Sequence, residues 1–190
     1  ASFMNSKTPT VLLKTCCAPC ATHCIKALCG TYDVILFFSN SNIFPESEYR
    51  KRLDEVKKLA RILDCHLVED DYYHAAWLEY IRGLEEEPEG GRRCRRCFEF
   101  NLARAEAYRR DAGCDKFTST LTVSPHKRSG DIFASGRAIG PFLEFDFKKK
   151  DGFKHSIDLS SQYGLYRQKY CGCEFSFREE TTIRKVENEI

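Results

Sequence analysis

The chain has 190 residues, 42% of them hydrophobic, which is enough to bury a core and excludes wholesale disorder. Its formal net charge of +2 is too small to indicate a partner, so the places where charge clusters matter more. No apolar run is long enough to cross a bilayer, and no signal-peptide pattern precedes Val11. Because the only methionine is Met4, we expect residues 1–3 to be a cloning remnant outside the fold.

The first half of the chain alternates apolar runs with amphipathic segments. Residues 11–13 predict a short buried strand that ends just before adjacent cysteines. The apolar residues of segment 21–28 share one face, which predicts a helix that ends at Gly30. Residues 33–38 form an unbroken apolar run, typical of a strand covered on both faces. Residues 46–63 carry the apolar stripe of a long helix.

The second half continues this alternation. Residues 65–69 and the threonine-rich segment 116–123 predict strands, and the alternating pattern over 142–147 predicts a final one. The acidic, glycine-containing segment 85–91 predicts a mobile loop. Further helices are predicted over residues 72–82, 94–112, 131–139, 156–163 and 177–188.

Strands that alternate with helices indicate one α/β domain over residues 1–190. We expect a three-layer, open and mostly parallel sheet with helices on both faces. In such a sheet the loops after the first, second and fourth strands gather at the carboxyl edge, where ligands bind. Cysteines stand after the first strand, where a nucleotide-binding sheet would place glycines, so ATP chemistry is disfavoured.

Eleven cysteines are a heavy load for a chain without a secretory pattern. In a reducing cytoplasm, which we take as the location, they indicate metal binding or catalysis and no disulfides are expected. We take four that stand alone as small core residues. These four are Cys24, Cys29, Cys65 and Cys114.

The remaining cysteines fall at spacings suited to metal. Two thiolates in a Cys-x-x-Cys at a helix start can bind one metal centre, and a glycine between two cysteines permits a turn that aims both sulfurs. We therefore predict a metal site built from the loop after the first strand, segment 92–98 and segment 166–176. Its candidate ligands are Cys16, Cys17, Cys20, Cys94, Cys97, Cys171 and Cys173.

Seven candidate ligands exceed the four of one tetrahedral zinc ion or of one iron–sulfur cluster. The surplus indicates either a cluster with a second metal or a cluster with free catalytic thiols. Adjacent side chains at a strand end point in different directions. We therefore expect Cys16 and Cys17 to serve two different centres.

Basic and polar residues accompany these cysteines. Arginines beside Cys94 and Cys97 could steer a polyanion to the metal, more so than an ordinary charge run at the surface. Nearby aromatic rings could stack on a flipped-out base or could equally just pack. His126 is a candidate proton donor or phosphate contact, or a loop histidine of no special role. Candidate substrate contacts are Asn40, Asn42, Tyr49, Arg93, Arg96, Lys127 and Arg167, the first three of which could instead cap the long helix.

Several pieces of the sequence, in this order, resemble one family, the cobalamin-independent epoxyqueuosine reductases called QueH. The resemblance runs over nearly the whole chain. Its pieces are Cys16-Cys17-Ala18-Pro19, residues 41–45 with Glu48-Tyr49 and Arg52, Cys94-Arg95-Arg96-Cys97, Ser119-Thr120-Leu121 with Ser124-Pro125-His126-Lys127, and residues 165–168 leading to Tyr170-Cys171-Gly172-Cys173-Glu174-Phe175-Ser176.

The resemblance implies a [4Fe-4S] cluster beside a single additional metal ion, iron. It implies two-electron deoxygenation of epoxyqueuosine to queuosine in the tRNA anticodon loop, with electrons from an external donor such as a ferredoxin or flavodoxin and no membrane partner. It also implies an α/β core related to adenine-nucleotide α-hydrolase-like sheets, without their ATP loop. Some relatives carry an aspartate where this chain has Cys20, so the shell of the second metal is expected to be richer in thiolates here.

Roles follow for individual residues on this interpretation. We assign Cys94, Cys97, Cys17 and one of Cys171 or Cys173 to the cluster. Cys16, Cys20 and the remaining member of that pair then hold the second metal. A protonated side chain is needed to help the oxygen leave as water. The candidates for this step are His126, Tyr166 and Tyr170.

Two other classes of protein compete with this interpretation. A non-catalytic zinc–thiolate module that binds RNA explains the thiols and arginines, but not the surplus of ligands or the sheet edge. A thiol-dependent RNA sulfur transferase needs ATP and a glycine loop, which the sequence lacks.

Overall fold

The computed structural model describes residues 8–177, and structural statements below concern that part of the chain. Two expectations fall on other residues. The cloning remnant at residues 1–3 lies outside the described range, and so does the predicted C-terminal helix over 177–188, except for its first residue.

Four parallel strands form the centre of the fold, in the order β3-β2-β1-β4. They are β1 (Thr10–Lys14), β2 (Asp33–Phe38), β3 (His66–Glu69) and β4 (Lys116–Ser119). In the register of the central pair, Leu12 lies opposite Ile35 and Lys14 opposite Phe37. All four strands therefore end at the same edge of the sheet, as the alternating sequence pattern predicted.

Within residues 8–177, six α-helices of seven or more residues accompany the strands. The first, α1, begins with Pro19 in its opening turn, where the missing N–H of proline is tolerated. Gly113 ends α4 with a φ of 70°, a left-handed conformation that glycine adopts without cost. The helices are α1 (Ala18–Leu28), α2 (Glu46–Leu63), α3 (His74–Tyr80), α4 (Arg92–Ala112), α5 (Ser129–Ile139) and α6 (Gly152–Gln162).

The sheet is covered on both faces, which confirms the three-layer α/β prediction. Alternate residues of β1 serve opposite faces, as the pleat of a strand requires. Val11 and Leu13 join the core beneath α1 and α2. Leu12 packs instead with Leu102 of α4 and Phe117 of β4. No described helix has the length and apolar character that a membrane span requires.

The predicted strand over 142–147 is wrong. One bridge pairs Phe142 with Phe117, and the Leu143 N–H donates to the Phe117 carbonyl over 2.7 Å. After Ser119, β4 gives way to a 3₁₀ helix, Thr120–Val123. The residues after Leu143 therefore have no extended strand beside them with which to pair. The predicted strand 116–123 is shorter for the same reason, since the Ser119 side chain accepts from the Leu121 N–H and begins the 3₁₀ turn.

The cysteines outside the predicted metal site are only partly core residues. Cys24 and Cys114 are buried, as predicted, and Cys65 is half-buried. Cys29 is exposed, because it follows the last residue of α1 at the surface. All eleven cysteines are free, which confirms that disulfides are not part of this fold.

Candidate metal centre

Three thiols converge where the chain leaves β1. Lys14 is the last residue of the strand, and Cys17 precedes α1 with an extended backbone. The sulfur atoms of Cys16, Cys17 and Cys20 all lie within 4.8 Å of one another. Among the described residues, they are the one group of three or more possible metal ligands gathered so closely. We call these three residues the first thiol group.

The expectation that Cys16 and Cys17 point apart is wrong, since their sulfur atoms lie 3.8 Å from each other. Both residues lie beyond the end of β1, so the alternation of a pleated strand no longer applies to them. Thr120 fixes Cys16, because its hydroxyl donates to the sulfur over 3.1 Å and accepts from the Cys16 N–H over 3.0 Å. Gln168 fixes Cys17, donating from its side-chain amide to the sulfur over 3.0 Å.

Hydrogen bonds within the first thiol group separate the acidities of its members. Hydrogen bonds from the thiols of Cys17 and Cys20 lower the pKa of Cys16 well below its ordinary value. The hydrogen bond to Cys16 raises the pKa of Cys17 to about 12 and also raises that of Cys20. The group thus suits one thiolate held by two neutral thiols, and a metal ion would take the place of their two protons.

Four more thiols form a second thiol group, composed of Cys94, Cys97, Cys171 and Cys173. The first turns of α4 carry Cys94, which accepts from the Gly90 N–H over 3.2 Å, and Cys97. Burial, and then the charges of Cys171 and Cys173, raise the pKa of Cys97 to about 12. These thiols are therefore close enough to influence one another, although they are spaced more widely than the first group.

Lys14 is a buried, positively charged residue that lines the same cavity as members of both thiol groups. Only 2% of this residue is exposed, and its ammonium donates to the Asn40 side-chain oxygen over 2.7 Å. Asn40 in turn donates to the Thr15 carbonyl over 2.9 Å. Burial lowers the pKa of Lys14, while thiolates at Cys16 of the first group and Cys97 of the second oppose that shift. Sequence analysis missed Lys14, although a lysine closing an apolar strand was the available signal.

A cavity of about 610 Å³ opens beside both thiol groups. Its walls come from the loops that follow β1, β2 and β4, as expected for the carboxyl edge, and from segments 89–90 and 167–171. Ten of the residues predicted for the site line it. These are Cys16, Cys20, Cys97, Cys171, Asn40, Asn42, His126, Lys127, Arg167 and Tyr170.

Three predicted substrate contacts lie elsewhere. Tyr49 is buried, and its hydroxyl donates to the Asp70 carbonyl over 3.2 Å. Arg93 is also buried and donates to the carbonyls of Glu85 and Glu87. It therefore contacts the acidic loop and does not lie at the surface, where the prediction placed it. Arg96 pairs with a glutamate on its own helix, Glu99, over 2.8 Å.

The three predicted proton donors also differ in position. His126 is exposed at the wall of the cavity. The Tyr166 hydroxyl donates to the Glu48 carboxylate over 3.1 Å, and the Tyr170 hydroxyl donates to the Phe44 carbonyl over 2.6 Å. Both phenols are thus engaged with the protein, whereas His126 combines exposure to solvent with a place in the cavity wall.

A parallel α/β sheet with two groups of thiols at its carboxyl edge defines a cysteine-rich α/β protein whose first thiol group is suited to metal. Comparison with known proteins agrees with this class. The family model described as "Epoxyqueuosine reductase QueH" matches residues 11–179. The chain belongs to the epoxyqueuosine reductase QueH family.

Curated relatives carry the same description over most of their length. The protein of Streptococcus pyogenes serotype M1 is 37% identical over 183 residues, which cover 90% of this chain and 72% of the relative. That of Staphylococcus epidermidis is 34% identical and covers 90% and 78%. That of Thermotoga maritima is 34% identical and covers 90% and 91%. All three are named epoxyqueuosine reductase QueH.

Proposed function

We propose that this chain is an epoxyqueuosine reductase, which deoxygenates epoxyqueuosine to queuosine in the anticodon loop of tRNA. The observation that carries the proposal is the pair of thiol groups beside one cavity, in a chain of the QueH family. Loss of the epoxide oxygen consumes two electrons and two protons and releases water. A redox site next to a cavity large enough for a modified base suits that reaction.

We assign the second thiol group to a [4Fe-4S] cluster and the first to a single iron ion. Four thiolates are what such a cluster takes. The thiolates that bind a cluster lie far apart because its inorganic core lies between them. The ligands of a single ion lie close together, as the sulfur atoms of Cys16, Cys17 and Cys20 do. This division moves Cys17 from the cluster to the ion and places Cys171 and Cys173 together on the cluster.

The bound groups would supply single electrons and a Lewis acid for the epoxide oxygen. The residues of the chain hold and surround them. Lys14 places a positive charge where the thiolates of both groups concentrate negative charge. Gln168 and Thr120 fix the orientation of two sulfurs. His126, at the exposed wall, is the residue we assign to carry protons between solvent and the cavity.

Basic side chains at the cavity suit the RNA substrate. Lys127 and Arg167 line the cavity, and Lys169 lines it beside them. Positive charge at this position attracts the phosphates of an anticodon loop, and the binding should weaken as salt rises. The two electrons that the reaction consumes must enter from outside the chain. We therefore assign their supply to an external donor of the ferredoxin or flavodoxin type.

The deciding experiment is anaerobic reconstitution with iron and sulfide, followed by an assay on tRNA that carries epoxyqueuosine, with a chemical reductant. We expect a brown protein that binds a four-iron cluster and one further iron ion, and that forms queuosine. A colourless protein that binds only zinc would instead identify a non-catalytic RNA-binding module. Full activity with four irons and no further metal would overturn the assignment of the second centre.

A further inference from the structure

Arg52 is a buried arginine on α2 that faces the loop of the second thiol group. Only 2% of its side chain is exposed, and 11% of that of its partner, Glu48. The Arg52 Nε donates to a Glu48 carboxylate oxygen over 2.7 Å. A buried charge is retained at such a position only when it is paired and hydrogen-bonded, so the surroundings of the pair show what it holds.

The far side of the guanidinium holds the main chain between two residues of that loop. One terminal nitrogen donates to the Cys171 carbonyl over 2.9 Å, and the other donates to the Tyr170 carbonyl over 3.2 Å. The guanidinium also lies over the Tyr170 ring, 5.2 Å from its centre. Arg52 thus uses its fixed fork of donors to join a helix to two successive carbonyls next to a thiol.

The loop fits closely against this fork at Gly172. Gly172 has a φ of 147°, a conformation that other residues rarely adopt. A Cβ there would lie 3.4 Å from an Arg52 nitrogen and 3.2 Å from the Ile43 side chain. The Gly172 carbonyl accepts from the Phe44 N–H over 2.9 Å, so the turn between the two cysteines is fixed from both sides.

Glu48 is held from the other side by the same C-terminal segment. The Tyr166 hydroxyl donates to its carboxylate over 3.1 Å. Two residues before the turn and its first cysteine therefore meet on one Glu48–Arg52 pair. Arg52 also lines the cavity, so the pair connects the turn to the wall of the site.

We propose that Arg52 is a positioning residue that, through Glu48 and the carbonyls of Tyr170 and Cys171, holds the Cys171-Gly172-Cys173 turn in the geometry needed to bind the cluster. The assignment rests on the proposed function in one respect, that these two thiols are cluster ligands. The positioning of the turn itself does not depend on any metal. The guanidinium fork is required, because a lysine ammonium cannot satisfy Glu48 and two separate carbonyls in one plane.

The test compares Arg52→Lys and Arg52→Gln with a matched control on the same helix. Arg50 pairs with Glu46 over 2.6 Å at the same spacing, but those side chains are 68% and 52% exposed. Arg50→Gln therefore removes an equivalent ion pair that touches no thiol loop. Hydrogen–deuterium exchange of the metal-free, reduced protein reports on segment 166–176, and iron and sulfide counts after reconstitution report on the cluster.

We expect both Arg52 variants to exchange this segment on the order of tenfold faster than wild type, while the sheet keeps its protection. Arg52→Lys should behave like Arg52→Gln, and both should lose most of their sulfide while one iron per chain remains. Arg50→Gln should match wild type in both measurements. Unchanged exchange and a full cluster in Arg52→Lys would overturn the proposal.

The two measurements separate this inference from the proposed function. If wild type binds no cluster, the assignment of the cofactor fails, while the exchange of the metal-free protein still tests the turn. If Arg52→Gln does not fold, Gly172→Ala tests the same turn from the other side, since alanine is strained at a φ of 147° and its Cβ would crowd Ile43. Wild-type exchange and sulfide in Gly172→Ala would count against a turn of fixed geometry.

Discussion

The ammonium group of Lys14 lies 2.7 Å from the side-chain oxygen of Asn40, on a residue that is 2% exposed and interacts electrostatically with thiols of both groups. Several of these thiols can become anions close to the buried ammonium. The contact joins the end of β1 to the loop after β2. The consequences can be measured without any assumption about the substrate.

We expect Lys14→Met to bind less iron and to shift the midpoint potential of the reconstituted cluster to more negative values. The loss of a nearby positive charge disfavours the more negative, reduced form of a cluster. An anaerobic redox titration followed by electron paramagnetic resonance measures the potential. Lys26→Met is the matched control, because Lys26 is exposed on α1. Equal potentials in the two variants would contradict an electrostatic role for Lys14.

Single cysteine substitutions should separate the two centres. Cys97→Ala should reduce the iron content from about five to about one per chain and abolish the sulfide, since a four-iron cluster needs all of its thiolates. Cys20→Ala should remove about one iron and keep the sulfide. Cys29→Ala, at an exposed position outside both groups, is the control. Sulfide retained in Cys97→Ala would refute the assignment.

Gln168→Leu should weaken the first thiol group selectively. This substitution removes the amide that donates to Cys17 over 3.0 Å and nearly preserves the volume of the side chain. Removal of such a supporting hydrogen bond typically costs about tenfold to about a hundredfold in metal affinity. Competition with a chelator, monitored by iron analysis, measures it. Gln162→Leu, at the exposed end of α6, should leave the affinity unchanged.

Arg93→Met should destabilise the fold by about 1–3 kcal/mol, because carbonyls of the acidic loop lose a buried donor. The affected carbonyls are those of Glu85 and Glu87. Urea unfolding of the metal-free protein gives the change in free energy. Arg95→Met, at an exposed neighbouring position, should change the stability little. If both variants had the same stability, Arg93 would be available for the substrate contact first predicted for it.

The stability of the protein should depend on pH through His74. Burial alone would lower the pKa of His74, but hydrogen bonds to Glu174 and to the Ser41 carbonyl outweigh it, so this pKa is raised. The Glu174 contact spans 3.1 Å. Because the folded pKa is raised, the contribution is complete below the ordinary value of about 6.5 and is lost as pH rises through the folded pKa.

Thermal unfolding of wild type and His74→Gln across that range measures this effect. The difference in melting temperature should be largest below a pH of about 6.5 and should shrink as the pH rises. His66→Gln, which removes a histidine at an exposed position on β3, is the matched control. A difference that grew toward high pH would reverse the sign and refute the assigned cause.

The layers of the fold could be predicted from sequence because the buried strands are unbroken apolar runs. The position of the thiols followed from the same rule, since parallel strands end at one edge. The strand predicted over 142–147 failed because its neighbour turns into a 3₁₀ helix after Ser119, an event set by one side-chain hydrogen bond. Local alternation contains no information about whether a partner strand continues.

The site was harder to predict than the fold. The convergence of Cys16 and Cys17 depends on where β1 ends, and a shift of one residue would turn one sulfur away. Arg52 is a charged residue whose burial arises from tertiary contacts, so its sequence neighbours did not reveal it, whereas Lys14 was signalled only by its position at the end of an apolar strand. Cysteine spacing predicted the candidate ligands, whereas their division into two groups required the structure.

The contact between Gln168 and Cys17 joins positions 151 residues apart. A ribosome synthesises the chain from its amino end, so the strands and the first three thiols emerge long before the turn that carries Cys171 and Cys173. The second thiol group therefore becomes complete only after the chain has been made as far as Cys173. We expect a nascent chain released before this turn to retain its sheet but to lack a place for the cluster, so that cofactor insertion follows translation.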